Sequence, residues 1–303
     1  MLEKKIVFIG SGAMAEAMIA GLLRQGLAKP GDLLAADNHA KRVEGLYQKY
    51  SVQPFTDNKL AAAEADVVVL SVKPQRLTEV LNGLKGAVPA GALVLSIVAG
   101  ATIGKISKGL KHNAVVRSMP NTPAQIGQGI TVWMASPSTS EAQKEMARAI
   151  LGAFGDEVQV DDENYLDMAT ALSGTGPAYV FMFMEAMIDA GVHMGFSRRV
   201  SEQLVVQTLK GSVAYYQTIN EKADVHVAAL RNQVTSAGRD FGGGVVLPRK
   251  SRFPNRDFTG HLGGLPAFAG TGQGDAGPHP GNRQGLTGKI ERVKTVRFFM
   301  HIV

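Results

Sequence analysis

The chain has 303 residues, carries a formal net charge of +6, is 45% hydrophobic and contains no cysteine. That length can bury a substantial core in two domains, and the lack of cysteine excludes disulfides, thiol catalysis and thiolate metal ligation. Residues 239–303 hold ten of the 32 Lys/Arg but four of the 26 Asp/Glu, so residues 1–238 are neutral and the positive balance is no argument that the body binds nucleic acid.

In chain order, Ile6–Ile9 reads as a buried strand and runs into Gly10-Ser11-Gly12-Ala13-Met14-Ala15. Small residues at 10, 12 and 15 form a G-x-G-x-x-G/A pattern. Gly10 permits the tight turn, Gly12 lets a pyrophosphate approach the backbone, and Ala15 lets the following helix pack close to the strand. The helix start then offers free N–H groups and a positive dipole end to that anion. Its place after a strand and before a helix favours dinucleotide binding over an ordinary strand–helix turn.

Leu33–Asp37 is expected as a second strand and His39–Tyr50 as a helix. Ala65–Ser71, Leu93–Val98 and Ala114–Ser118 are further apolar strands, with helices at Gln75–Leu84, Thr102–Leu110 and Glu141–Phe154 between or after them. The alternation predicts an α/β, doubly wound (Rossmann-type) parallel sheet. Such sheets bind ligands at the carboxyl ends of their strands. At the second of these ends Asp37 could bond ribose hydroxyls and favour NADH, while Lys41 and Arg42 could meet a 2′-phosphate, so both cofactors stay open.

From Glu163 the pattern changes to long helices, 164–194 with a break at Gly174-Thr175-Gly176-Pro177, and 197–216. Their apolar faces are wide for solvated helices, which predicts a second, all-helical domain that buries itself against another subunit. The expected division is 1–161 for the dinucleotide-binding domain, 162–238 for a truncated helical dimerisation and substrate domain, and 239–303 for an aberrant tail. The tail holds 13 of the 35 glycines and has no helical or strand period, a low-complexity composition. The histidines, His193 and His226 among them, show no metal-ligand spacing.

The strand-end motifs are Ser71-Val72-Lys73-Pro74-Gln75, Ile97-Val98-Ala99-Gly100 and Arg117-Ser118-Met119-Pro120-Asn121-Thr122-Pro123. To these the chain adds Asp57-Asn58, then Ala171-Leu172-Ser173-Gly174-Thr175-Gly176-Pro177-Ala178-Tyr179, and last Leu230-Arg231-Asn232-Gln233-Val234-Thr235-Ser236. In this order the set resembles the pyrroline-5-carboxylate reductases, over residues 4 to 238. The resemblance implies reduction of 1-pyrroline-5-carboxylate to L-proline with NADPH or NADH. It implies a cytoplasmic homodimer or larger homo-oligomer that uses neither nucleic acid nor membrane. It places the cofactor at Ile9, Gly10, Ser11, Gly12, Ala13 and Met14, at Asn38 and Asn58 on the adenosine side, and along Ser71, Val72, Lys73, Pro74, Ile97, Val98, Ala99 and Asn121. It places the substrate at Glu163, Gln233 and Ser236. A bland reading of Glu163 is a solvated acid at a helix start, and of Ser236 a helix cap.

After Gly238 the chain departs from the family. Phe241 stands where a hydroxyl beside the substrate ring nitrogen is expected, so no catalytic residue is assigned. If Arg239 is encoded AGG, a one-base shift re-reads residues 239 to 266 as GTSAEALYCLENRGFRTVISRAIWAAYR, a helix–turn–helix of the kind the family has. The tail is therefore read as frame-shifted. Two other functions stand beside the reductase: an NAD(P)-binding protein without turnover, and another two-domain dehydrogenase of the prephenate or 6-phosphogluconate type.

Overall fold

The structure is a computed structural model and describes residues 2–234. Eight strands form one sheet: β1 (Ile6–Ile9), β2 (Leu33–Ala36), β3 (Gln53–Phe55), β4 (Val67–Leu70), β5 (Leu93–Ser96), β6 (Val115–Met119), β7 (Gly129–Ala135) and β8 (Gly155–Gln159). Their order is β3-β2-β1-β4-β5-β6-β7-β8. Helices α1 (Ala13–Arg24), α2 (Ala40–Tyr50), α3 (Asn58–Ala63), α4 (Leu77–Leu84), α5 (Ile103–Leu110) and α6 (Glu141–Gly152) connect them.

The sheet is buried on both faces, which is why its central strands are continuous apolar runs. Side chains alternate across it. Ile6 and Phe8 join Met18, Leu22, Trp133 and Phe154 on one face. Val7 and Ile9 join Leu70, Leu81, Leu84 and Val94 on the other. Burying each large apolar side chain contributes about 1.5–3 kcal/mol before entropy is counted.

The sheet is parallel as expected except at one pairing: β7 runs antiparallel to β6, and parallel pairing resumes at β7–β8. Three strands lie beyond the five expected from the sequence. β3 is short and has Pro54 inside it, the mark of an edge strand. β8 reads GDEVQ, a polar, partly exposed edge. In β7 burial alternates, with only Gly129, Thr131 and Trp133 fully covered. Pro74–Arg76 forms a 3₁₀ turn, so α4 begins at Leu77 rather than Gln75.

The helical segment contains α7 (Asn164–Ala169), a π-helical turn at Thr170–Gly174, α8 (Gly176–His193), α9 (Arg198–Asn220) and α10 (Val227–Gln233). The expected interruption near Gly174 is this π turn. α8 comes close to α9 at Gly191, where a Cβ would lie 2.6 Å from Ser201 Oγ. Several of their apolar side chains lie open: Phe181 is 63% exposed and Leu204 50%. Such faces are what the wide apolar pattern predicts for helices that pack on another subunit.

Candidate active site

The strand order reverses around β1, with β2 on one side and β4 on the other. Ligands of open α/β sheets sit at this switch point. Here β1 ends in Gly10, whose φ of +98° is disfavoured for any L side chain. A Cβ on Gly10 would also lie 2.7 Å from Val72 Cγ1 and 2.9 Å from the Ser71 carbonyl oxygen. Gly12 differs. Its φ is −83°, and a Cβ there would meet nothing within 4 Å. Gly12 is the N-cap of α1 and makes no side-chain hydrogen bond, so the first-turn N–H groups have no capping acceptor from it.

Both neighbours of β1 hold the turn. Ser71 Oγ donates to the Gly10 carbonyl at 2.7 Å, and Ser71 N donates to the Ile9 carbonyl at 3.0 Å. Gly10 N donates to the Ala36 carbonyl at 2.8 Å. Ser11 N donates to Asp37 Oδ2 at 3.0 Å. The described residues contain four buried side-chain polar atoms without a hydrogen-bond partner, and Ser11 Oγ and Asn58 Oδ1 are two of them. Asn58 opens α3, which Asp57 caps by accepting from Lys59 N and Leu60 N. An open glycine turn beside two orphaned buried oxygens fits a dinucleotide, whose hydroxyls and phosphates would complete both.

The other expected cofactor residues lie along the same strand ends. Ile9 is buried, Met14, Val72 and Ile97 are half-buried, and Ala13, Asn38, Lys73, Pro74 and Ala99 are exposed. Val98 is buried and its N–H donates to Ser96 Oγ at 3.2 Å. Asn121 is nearly buried, and its amide is used structurally: Nδ2 donates to the Ser173 carbonyl at 3.2 Å, and Oδ1 accepts from Ile130 N at 3.0 Å. It thereby ties the end of β6 to the π turn. Met119 packs under the same turn, 2.8 Å from the place a Gly174 Cβ would occupy.

Glu163 also bridges the sheet and the helices. Its Oε1 accepts from Ile103 N at 2.8 Å and from the Arg117 guanidinium at 2.9 Å. Arg117 reaches Asp167 as well, at 2.6 Å. Neither Arg117 nor Asp167 was assigned a role from sequence. The signal was present: an arginine inside the apolar run of β6 must find carboxylate partners if it is buried, and Arg117 is 3% exposed. Gln233 ends α10 and is exposed. Ser236, Phe241 and the tail lie outside the described residues. In the first turn of α1, Glu16 accepts from Lys49 Nζ at 2.7 Å and from Tyr50 OH at 3.1 Å. The Lys49 hydrogen bond holds the Glu16 carboxyl below its ordinary value and raises Lys49 above its own.

A cleft of about 700 Å³ at the ends of β7 and β8, lined in part by Ser136, Lys144, Asp161 and Tyr165, contains none of the candidate cofactor or substrate residues. The site to be explained is therefore the glycine turn and the loops beside it.

Fold and site together define a two-domain NAD(P)-dependent oxidoreductase. Residues 5–100 match the family model described as NADP oxidoreductase, coenzyme F420-dependent, and residues 163–240 match that of pyrroline-5-carboxylate reductase dimerisation. The pyrroline-5-carboxylate reductase of a Synechocystis strain is 38% identical over 81% of this chain and 90% of its own. That of Pseudomonas aeruginosa is 39% identical over 78% and 85%. Among solved structures, a pyrroline-5-carboxylate reductase from Coxiella burnetii matches with a TM-score of 0.70 at 34% identity, covering 77% of this chain and 85% of that one. The Plasmodium falciparum pyrroline carboxylate reductase, solved with NADP bound, matches at 0.69 and 32% identity, covering 78% and 86%. The chain belongs to the pyrroline-5-carboxylate reductase family.

Proposed function

We propose that this chain is an NAD(P)H-dependent reductase of 1-pyrroline-5-carboxylate, forming L-proline, built to work in the cytoplasm as a homodimer or larger homo-oligomer. The observation that carries the reading is the open glycine turn at the switch point, in the same chain as the matched dimerisation segment 163–240. We take residues 1–161 as the cofactor domain and 162–238 as the helical one. No helix of the described residues is long and apolar enough to cross a membrane.

When bound, the reduced nicotinamide supplies a hydride from C4 to the imine carbon. The chain's own contribution is orientation of two reactants. Gly10–Met14 take the pyrophosphate, and Asn38 and Asn58 lie on the adenosine side. Ser71–Pro74, Ile97–Ala99 and Asn121 line the way to the nicotinamide. Glu163, Gln233 and Ser236 serve the substrate side. Asn121 and Glu163 also join the sheet to the helices, so part of their effect is on how the two halves of the site face each other.

Phe241 favours a second reading, cofactor binding without efficient turnover. A phenyl group cannot replace a hydroxyl beside the ring nitrogen, and an unmet buried hydrogen bond costs about 1–3 kcal/mol. The test uses the chain as it stands and a form carrying GTSAEALYCLENRGFRTVISRAIWAAYR after Gly238. Both are titrated with NADH and NADPH and assayed for pyrroline-5-carboxylate-dependent cofactor oxidation. Both should bind cofactor, and the restored form should turn over far faster. Failure of both to bind would overturn the proposal. Equal, high activity would overturn the reading of the tail.

A further inference from the structure

Asp37 closes β2 at the position where an acid commonly meets the adenosine ribose. In this structure its carboxylate is already engaged. It is 7% exposed, Oδ2 accepts from Ser11 N at 3.0 Å, and Oδ1 accepts from His39 N at 2.9 Å. Arg42 lies 3.6 Å from Oδ2 and offsets the charge. The Ser11 bond spans 26 residues, from the end of β2 to the middle of the glycine turn. On the other flank, Ser71 performs the matching task on the Gly10 carbonyl.

We propose that Asp37 is a positioning residue that fixes the glycine turn in its anion-binding shape by holding the Ser11 amide, and is not the reader of the cofactor's ribose hydroxyls. This rests on the cofactor reading above and deepens it. The physical reason is the pairing of donors. Without the carboxylate, the amides of Ser11 and His39 both lose their acceptor, and a buried N–H without a partner is costly. The turn would then rearrange, and Gly12 and the α1 amides would lose their common aim. Held this way, the Ser11 N–H points to Asp37, so the anion must be met by the amides from Gly12 onward. The Ser11 hydroxyl, buried and unpartnered, remains for the ligand.

The two roles separate with a ligand that lacks the groups a reader would read. The full chain and Asp37→Asn are titrated with NADH and with an NADH analogue lacking the adenosine 2′ and 3′ hydroxyls. Neither probe carries a 2′-phosphate, so release of Arg42 cannot disguise the result. A positioning residue predicts that the variant weakens both probes by the same factor, about tenfold. Amide exchange at Ser11 should quicken in the variant even without ligand. Asp37→Ser, which keeps one neutral acceptor, is judged by the same ratio, so a poorly folding Asn variant does not decide the matter. Weakened NADH binding with unchanged analogue binding would overturn the assignment alone, as would unchanged binding of both. Failure of the unaltered chain to bind either probe would overturn the assignment and the cofactor reading together.

Discussion

Two glycines two residues apart should fail in opposite ways. Gly10→Ala places an L side chain at φ +98°, which costs about 1–2 kcal/mol. Its Cβ would also meet Val72 Cγ1 at 2.7 Å and the Ser71 carbonyl at 2.9 Å. Overpacking of that kind costs about 1–3 kcal/mol more. The sum, about 2–5 kcal/mol, is a large share of a typical total stability of about 5–15 kcal/mol. Gly12→Val has an ordinary φ of −83° and an unobstructed Cβ, so folding should lose only about 1 kcal/mol, the cost of a poorer residue at the N-cap of α1. Its cost falls on the ligand, because the isopropyl group fills the space beside the helix start where the pyrophosphate is to lie. Cofactor affinity should fall about a hundredfold or more, near 3 kcal/mol. Thermal unfolding followed by Trp133 emission gives stability, since Trp133 is the sole tryptophan and is fully buried. Titration with NADPH gives affinity. The melting point should fall on the order of 10 °C for Gly10→Ala and only about 2–4 °C for Gly12→Val. If Gly12→Val bound cofactor normally, or melted as low as Gly10→Ala, the account of the turn would be wrong.

Arg117→Met should destabilise the chain by about 2–3 kcal/mol, at the low end for a broken buried pair because Glu163 and Asp167 are partly exposed; denaturant midpoints measure this, and an unchanged midpoint would refute the bridging role. Glu16 has a folded pKa below its ordinary value of 4.5, so its contribution is fully present above pH 4.5 and is lost as pH falls through the lowered value. Glu16→Gln should therefore flatten the acid limb of the stability curve slightly, and an unaltered limb in a pH series of melts would argue against the Lys49 pairing. Phe181→Glu puts a charge on the open face of α8 and should shift the chain toward monomer in sedimentation. A wild-type chain that is already a compact monomer at high concentration would contradict the interface.

The parts of this molecule that rest on local chemistry were legible in its sequence. The apolar runs of β1, β2, β4 and β5 reflect burial on both sheet faces, the wide faces of α8 and α9 show as apolar residues at helical spacing, and the glycine pattern reflects the steric demands of its turn. What escaped is set by tertiary context. β8 is a polar edge and β3 is broken by Pro54, so neither shows the apolar alternation that marks a strand. The reversal at β7 leaves no trace in composition, because pairing direction is set by the connection and not by the residues. The candidate site reads from the sequence as a list of loops, without the bonds that join them. Asn121 and Glu163 could be named from motif order, yet their bonds to Ser173, Ile103 and Arg117 span 46 to 60 residues and appear only when the helices meet the sheet. Asp37 shows the same limit: its type and place fit a ribose ligand, and only the hydrogen bond to Ser11 reveals another use.

This fold serves to carry hydride from a nicotinamide to a cyclic imine, and a label on the hydride reports the transfer itself. The form restored after Gly238 is supplied with NADPH deuterated on the transferring face of C4 and with 1-pyrroline-5-carboxylate, and the product is examined by mass and NMR. The product should be L-proline with one deuterium on the former imine carbon, with much less of it from the chain as it stands. A restored chain that binds NADPH firmly yet yields no labelled proline would refute that transfer.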